Sequence, residues 1–151
     1  MRILITTDGS DFSRTAVEKC CRMVVKPEET SIKIVSVYEL TLPLDVFPAP
    51  TDFSERLETG ARRQAEEFAE QAAALIREYF PNSNLDLTTQ ISTGAPEQIL
   101  IEEAKNWNAD LVVVGSHGRG FWGRMLLGST TDALVHHAPC SVLVVRQPNK
   151  T

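Results

Sequence analysis

Residues 110–137 read DLVVVGSHGRGFWGRMLLGSTTDALVHH. An apolar run, Asp110 to Val114, meets a stretch holding five glycines, Gly115 to Thr130, which passes into a helix-like run, Thr130 to His137. Glycine lets the main chain come close to a ligand because no Cβ intervenes. A glycine-rich link between a strand and a helix N-terminus also gathers main-chain N–H groups at one spot, which suits phosphate oxygens. The segment predicts a strand, a phosphate-binding turn and a helix.

The same alternation extends outward in both directions. Arg2 to Thr7 is a short apolar strand. Ser10-Asp11-Phe12-Ser13 supplies N-cap candidates, and Ala16, Val17, Cys20 and Val24 then share a helical face, with Pro27 as the stop. Ser31 to Tyr38 is rich in β-branched residues and reads as the second strand. Glu39 to Thr51 carries Pro43, Pro48 and Pro50 without periodicity and reads as one long loop. A long helix follows from Asp52 to Tyr79, with Leu57, Ala61, Gln64, Ala65, Phe68, Ala72, Leu75 and Tyr79 at helical spacing. Leu85 to Ile91 alternates as a third strand. Gly94-Ala95-Pro96 opens a third helix with a stripe of Ile99, Leu100, Ala104 and Trp107. Leu111 to Val114 is apolar throughout, as a strand covered on both faces should be. A fourth helix spans Ser129 to His137, where Ser129 and Asp132 match capping-box spacing. Ser141 to Val145 is the fifth strand.

This pattern predicts an α/β fold: a Rossmann-like, doubly wound, mostly parallel five-stranded sheet with helices on both faces and strand order 3-2-1-4-5. Ligands in such sheets bind beyond the carboxyl ends of the strands, where the strand order reverses. A single domain is expected over residues 1–147, with 148–151 as a frayed tail.

Composition narrows the function. The chain has 151 residues, 42% of them hydrophobic and 23% charged, the balance of an ordinary globular domain. Its formal charge of -5 disfavours a general nucleic-acid binder, which needs a broad basic face. No apolar run reaches membrane-span length, and Ile3-Leu4-Ile5 is too short for a signal-peptide core, so a cytoplasmic location is expected. Cys20, Cys21 and Cys140 form no C-x-x-C pair and read as small apolar core fillers.

Two familiar phosphate motifs fit incompletely. Gly118-Arg-Gly120-Phe-Trp-Gly123 spells G-x-G-x-x-G, but it does not open a helix at once, and no acidic residue follows about 20 positions on. Gly123 to Thr130 spells a P-loop except that Ser129 replaces the lysine that reaches the β- and γ-phosphates. The residues nevertheless divide the work. Gly115 ends the fourth strand, while Gly118 and Gly120 allow a turn over a diphosphate. Gly128 and Ser129 begin a helix whose free N–H groups favour negative charge, and Ser129 and Thr130 add hydroxyl donors. Arg119 and Arg124 supply positive charge within the turn. Asp8 has two readings, a contact to adenosine or an Asx-turn with Gly9 and Ser10. His117 reads as a polar loop residue, with an acid–base role as the alternative. His136 and His137 suit the last turn of a helix rather than a zinc site. Trp122, Met125, Leu126 and Leu127 read as packing residues or as a surface for a partner chain. The fifth strand should lie at a sheet edge, where pairing with a second subunit would cover it.

The spacing Gly115-x-x-Gly118, nine residues, then Gly128-Ser129 resembles the ATP-binding signature of the universal stress protein family. ILITTDGSDFS at the start, GSHGRG, LLGST, and APCSVLVV at the end resemble that family in the same order. The resemblance implies an adenosine pocket lined by Thr6, Thr7 and Asp8 and a base contact from Val37, beside the phosphate site that the residues themselves predict at Gly115, Gly118, Arg119, Gly128, Ser129 and Thr130. The family often carries proline where this chain has Thr6. The resemblance implies ATP (or ADP or AMP) as ligand and a homodimer joined through the edge strand Ser141 to Val145; Mg²⁺ is expected to come with the phosphates rather than through a protein cage. No membrane or nucleic-acid partner is expected.

The expected function is a nucleotide-dependent switch or binding module in stress response, more a binder than an enzyme. The alternative is a slow ATP hydrolase or a nucleotidyl or phosphoryl transferase. A transferase of related type would show H-x-G-H after the first strand, where this chain has Thr7-Asp8-Gly9-Ser10. A nucleotide-free dimerisation adaptor is the third reading, and relatives of that kind lack the glycine spacing retained here.

Overall fold

Successive strand residues face opposite sides of a sheet, so a run such as Ile3-Leu4-Ile5 needs cover on both. The computed structural model of the protein describes residues 1–24, 26–40, 51–119 and 127–147, and it provides that cover. In chain order these residues form β1 (Arg2–Thr6), α1 (Asp11–Met23), a 3₁₀ turn (Pro27–Glu29), β2 (Ser31–Tyr38), α2 (Thr51–Tyr79), β3 (Asp86–Thr93), α3 (Pro96–Asn106), β4 (Leu111–Gly115), α4 (Ser129–His137) and β5 (Ser141–Val145). The sheet order is β3-β2-β1-β4-β5, and every neighbouring pair is parallel. Residues 41–50 of the expected loop, the tail 148–151, and Gly120, Trp122, Gly123, Arg124, Met125 and Leu126 lie outside the described residues.

Each face of the sheet carries its own core. On one, Ile3, Ile5, Ile32, Ile34 and Val113 pack under α1 and α2, meeting Val17, Cys20, Ala73 and Ile76. On the other, Leu4, Val35, Val112 and Val114 pack under α3 and α4, meeting Leu100, Ala104 and Leu134. Cys20 and Cys21 are buried in the first core and Cys140 is half-buried against the second; all three are free thiols, in keeping with their reading as fillers. Among the described residues no helix is long and apolar enough to cross a membrane.

Several local expectations shift. The first helix stops at Met23, where the Val24 N–H donates to Cys20 O, and Pro27 opens the 3₁₀ turn instead of ending the helix. β3 runs on to Thr93 because the Gly94 N–H, at φ +129, donates to Tyr38 O and extends the pairing with β2. The buried line of α2 is Ala65, Ala69, Ala72, Ala73 and Ile76, while Leu57 and Tyr79 stand exposed at 37% and 36%. Small residues face the sheet because they let the helix axis approach it closely, and the larger ones flank them. In α3 the stripe reduces to Leu100 and Ala104 as buried residues. The N-cap of α4 is Gly128, with Ser129 already the first helical residue, so the Ser129–Asp132 capping box does not form. The Asp132 carboxylate lies instead 3.8 Å from His136 Nδ1.

Candidate functional site

β1 leads out to β2 and β3 on one side, and β4 leads to β5 on the other. The order therefore reverses between β1 and β4, and a crevice opens beyond their carboxyl ends. A cavity of about 500 Å³ occupies this crevice on the α3/α4 side, within the usual range for small-ligand sites. Thr6, Val37 and Val114, from the ends of three adjacent strands, supply its floor, and Pro96 at the start of α3 borders it. Gly115, His117 and Gly118 form one wall, and Gly128 to Thr131 form another.

The second wall is the start of a helix. Gly128 N–H donates to Ser116 O at 2.9 Å, and Asp132 N–H donates to Gly128 O at 2.8 Å. The amides of Ser129, Thr130 and Thr131 lie between them in the first turn, where an α-helix has no internal acceptor for them. Their dipoles and the helix dipole favour an anion at the cavity. Thr131 is buried and donates through Oγ1 to Gly115 O at 2.8 Å, locking the helix start to the end of β4. No lysine or arginine is among the described residues that line the cavity; Asp8 is the charged side chain there.

The Asx-turn reading of Asp8 holds. Its Oδ1 accepts Ser10 N–H at 3.0 Å and Ser10 Oγ–H at 2.6 Å. Ser10 Oγ in turn accepts Ser13 N–H at 3.2 Å and caps α1. Asp8 Oδ2 accepts Arg119 N–H at 2.8 Å. His117 lines the cavity with Nδ1 3.0 Å from Ser116 Oγ and its ring tilted against Phe12.

Nine of the ten expected site residues come together: Thr6, Thr7, Asp8, Val37, Gly115, Gly118, Gly128, Ser129 and Thr130 line one cavity. Arg119 does not point its charge there. Its guanidinium sits 4.9 Å from the Phe68 ring centroid and donates to Gln64 Oε1 at 3.2 Å, both on α2. Sequence reasoning missed Ser13, Pro96, Val114, Leu127 and Thr131, which also line the cavity. Ser13 is buried, with Oγ 3.2 Å from Thr7 Oγ1. Its only sequence signal was membership of the capping segment. Val114 was legible as the strand residue on the same face as Val112; Pro96 read only as a helix starter.

Comparison with known proteins gives the family and agrees with the fold. A family model described as the universal stress protein family matches residues 1–146. Universal stress protein A homolog 2 of Coxiella burnetii is 46% identical over 79 residues, 51% of this chain and 53% of that one. A universal stress protein of Methanocaldococcus jannaschii is 27% identical over 150 residues, 99% of this chain and 84% of that one. Among solved structures, the protein MJ0577 superposes with a TM-score of 0.76 at 21% identity, covering 99% and 97% of the two chains. An Arabidopsis thaliana family protein with AMP bound gives 0.71 at 18% identity, covering 99% and 93%. A universal stress protein in complex with cAMP gives 0.66 at 23% identity, covering 96% of each chain. At these identities the structural likenesses show a shared fold.

Proposed function

The chain belongs to the universal stress protein family, and on that premise we propose that its carboxyl-edge cavity holds an adenine nucleotide, ATP, and retains it as a switch or binding module in stress response. The observation that carries this reading is the pairing of an apolar floor with the open start of α4, within one cavity of about 500 Å³. The nucleoside lies over Thr6, Val37 and Val114, with Thr7 and Asp8 at its border. The phosphates meet the amides and hydroxyls of Ser129 and Thr130 and the main chain of Gly115, Gly118 and Gly128. The donor set fits this group: neutral amides and hydroxyls satisfy phosphate oxygens without a lysine. Mg²⁺ arrives on the phosphates and completes their charge neutralisation. The AMP and cAMP carried by two relatives of the same fold support an adenine ligand.

Retention rather than turnover is supported by the sequence, where Ser129 stands in place of the lysine that a P-loop uses on the γ-phosphate. A slow hydrolase is the second reading, favoured by His117 at the cavity wall. Turnover of ATP lost in His117→Ala would favour it. The protein pairs into a two-fold dimer through β5, the terminal strand of the sheet among the described residues, and light scattering should read twice the chain mass.

Mass spectrometry of small molecules released from denatured pure protein tests the ligand directly and should find an adenine nucleotide. Calorimetry with ATP, ADP, AMP and cAMP then ranks them. Absence of saturable heat with all four at millimolar concentration refutes the assignment.

A further inference from the structure

The three spaced glycines owe their bareness to different neighbours. A Cβ on Gly115 would lie 2.8 Å from the Phe12 carbonyl carbon, so that glycine admits the start of α1. A Cβ on Gly128 would meet nothing closer than His117 Cα at 3.4 Å, so the described protein atoms leave room there. A Cβ on Gly118 would lie 2.7 Å from Asp8 Oδ2. That same oxygen accepts the N–H of Arg119 at 2.8 Å, across 111 positions of sequence. The other oxygen of Asp8 is taken by Ser10, which caps α1. One carboxylate thus joins the end of β1, the first turn of α1 and the turn after β4, the pieces that border the crevice.

We propose that Asp8 is a positioning residue: its carboxylate is a strut that holds the Gly118–Arg119 turn against β1, and Gly118 is bare to admit this carboxylate rather than a phosphate. The strut rests on geometry alone; its effect on affinity rests on the nucleotide reading above. The turn is held from the far side as well. The Arg119 side chain lies on Phe68 and Gln64 of α2, and the Phe68 ring packs so closely on Gly9 that a Cβ there would sit 2.3 Å from it. Asp8 therefore shapes the cavity without spending its charge on the ligand. A carboxylate free in the cavity would repel phosphates; one already accepting three protein donors has its charge largely compensated.

The test is a double-mutant cycle read in two ways. Titration calorimetry with ATP and amide hydrogen exchange without nucleotide are measured on the natural chain, Gly118→Ala, Asp8→Ala, the double variant and Asp8→Asn. Gly118→Ala should weaken ATP by about tenfold in the natural chain, the scale of one charge-assisted hydrogen bond. In the Asp8→Ala background the same substitution should cost under about twofold, because the obstacle is gone. The Arg119 amide should exchange about tenfold faster or more in Asp8→Ala, whether or not any nucleotide binds. Asp8→Asn, similar in size, keeps the test open should the alanine variant fail to fold. It leaves one acceptor oxygen for two sides, so either the Arg119 or the Ser10 amide must lose protection. Equal losses from Gly118→Ala in both backgrounds, with Arg119 still protected in Asp8→Ala, overturn the strut. A natural chain that ignores ATP while its Arg119 amide still depends on Asp8 overturns the nucleotide reading and leaves the strut standing.

Discussion

Replacing Gly115 by alanine should destabilise the fold by an amount that follows from the contact between β4 and α1. The added Cβ would lie 2.8 Å from the Phe12 carbonyl carbon, 2.9 Å from its oxygen and 3.0 Å from its Cβ. Ordinary carbon–carbon contact begins at about 3.5 Å, so the first turn of α1 must move by about 0.7 Å or β4 must bend. Two of the three obstacles are main-chain atoms, which no rotamer change can clear. That turn is pinned by the Ser10 cap and by Asp8, and Gly115 is pinned by Thr131 and by its pairing with Val145. Overpacking of this kind costs about 1–3 kcal/mol. For a domain of this length the midpoint should fall by about 2–12 °C in thermal unfolding followed by circular dichroism. Gly60→Ala is the control, because Gly60 lies inside α2 with nothing within 4 Å of the new Cβ. It should raise stability by about 0.5–1 kcal/mol through helix propensity alone. If Gly115→Ala melts with the natural chain, or if both variants move the same way, close approach at Gly115 is not what selects glycine there.

The half-buried Lys33–Glu103 pair should make stability depend on pH. Burial pushes the Glu103 carboxyl up, but hydrogen bonds from Lys33 Nζ at 2.6 Å and Gln90 Nε2 at 3.0 Å, with the charge of Lys33, outweigh it and leave the group below its ordinary range. A lowered folded-state pKa means the contribution is complete above the unfolded-state value and disappears as pH falls through the folded one. Glu103→Gln should therefore cost about 1–2 kcal/mol at neutral pH, and melt almost with the natural chain well below about pH 4. A gap that stays constant from neutral to acid contradicts the assignment. Cys20 and Cys21 should be inert in the native protein. Burial, then the neighbouring Cys21, pushes the Cys20 thiol up to about 12. Burial, with a further push from Glu18, raises Cys21 to about 11. Since the thiolate is the reactive form, a thiol reagent at neutral pH should label neither until the protein is unfolded. Rapid native labelling of either one, located by peptide mapping, would show that α1 opens far more readily than its packing implies.

The architecture was legible because it rests on short-range periodicity. β-Branched residues from Ser31 to Tyr38 and from Ser141 to Val145 mark their strands to the residue, and the helix of Ser129 to His137 also falls where its pattern begins and ends. The strand order follows because parallel strands need crossovers, and Leu111 to Val114 reads as a strand covered on both faces. The spaced glycines likewise point to the carboxyl edge, since strand, turn and helix follow one another in the chain.

What the sequence by itself determined is therefore the alternation of elements, the parallel sheet and the end of it at which the cavity opens. All of these come from the stereochemistry of residues near one another in the chain. Tertiary structure alone decided how the residues there are used. The bond from Asp8 to Arg119 joins groups 111 positions apart, the Arg119 guanidinium turns to α2, and Ser13 and Thr131 become cavity residues only when β1 and β4 lie side by side. The facing line of α2 also follows how closely that helix can approach the sheet, which selects Ala65, Ala69 and Ala73 over the larger residues that share its helical spacing. Periodicity can say that a residue has a face, but only the packed fold sets what stands opposite it, and that partner determines where a charge is spent and why a glycine is needed.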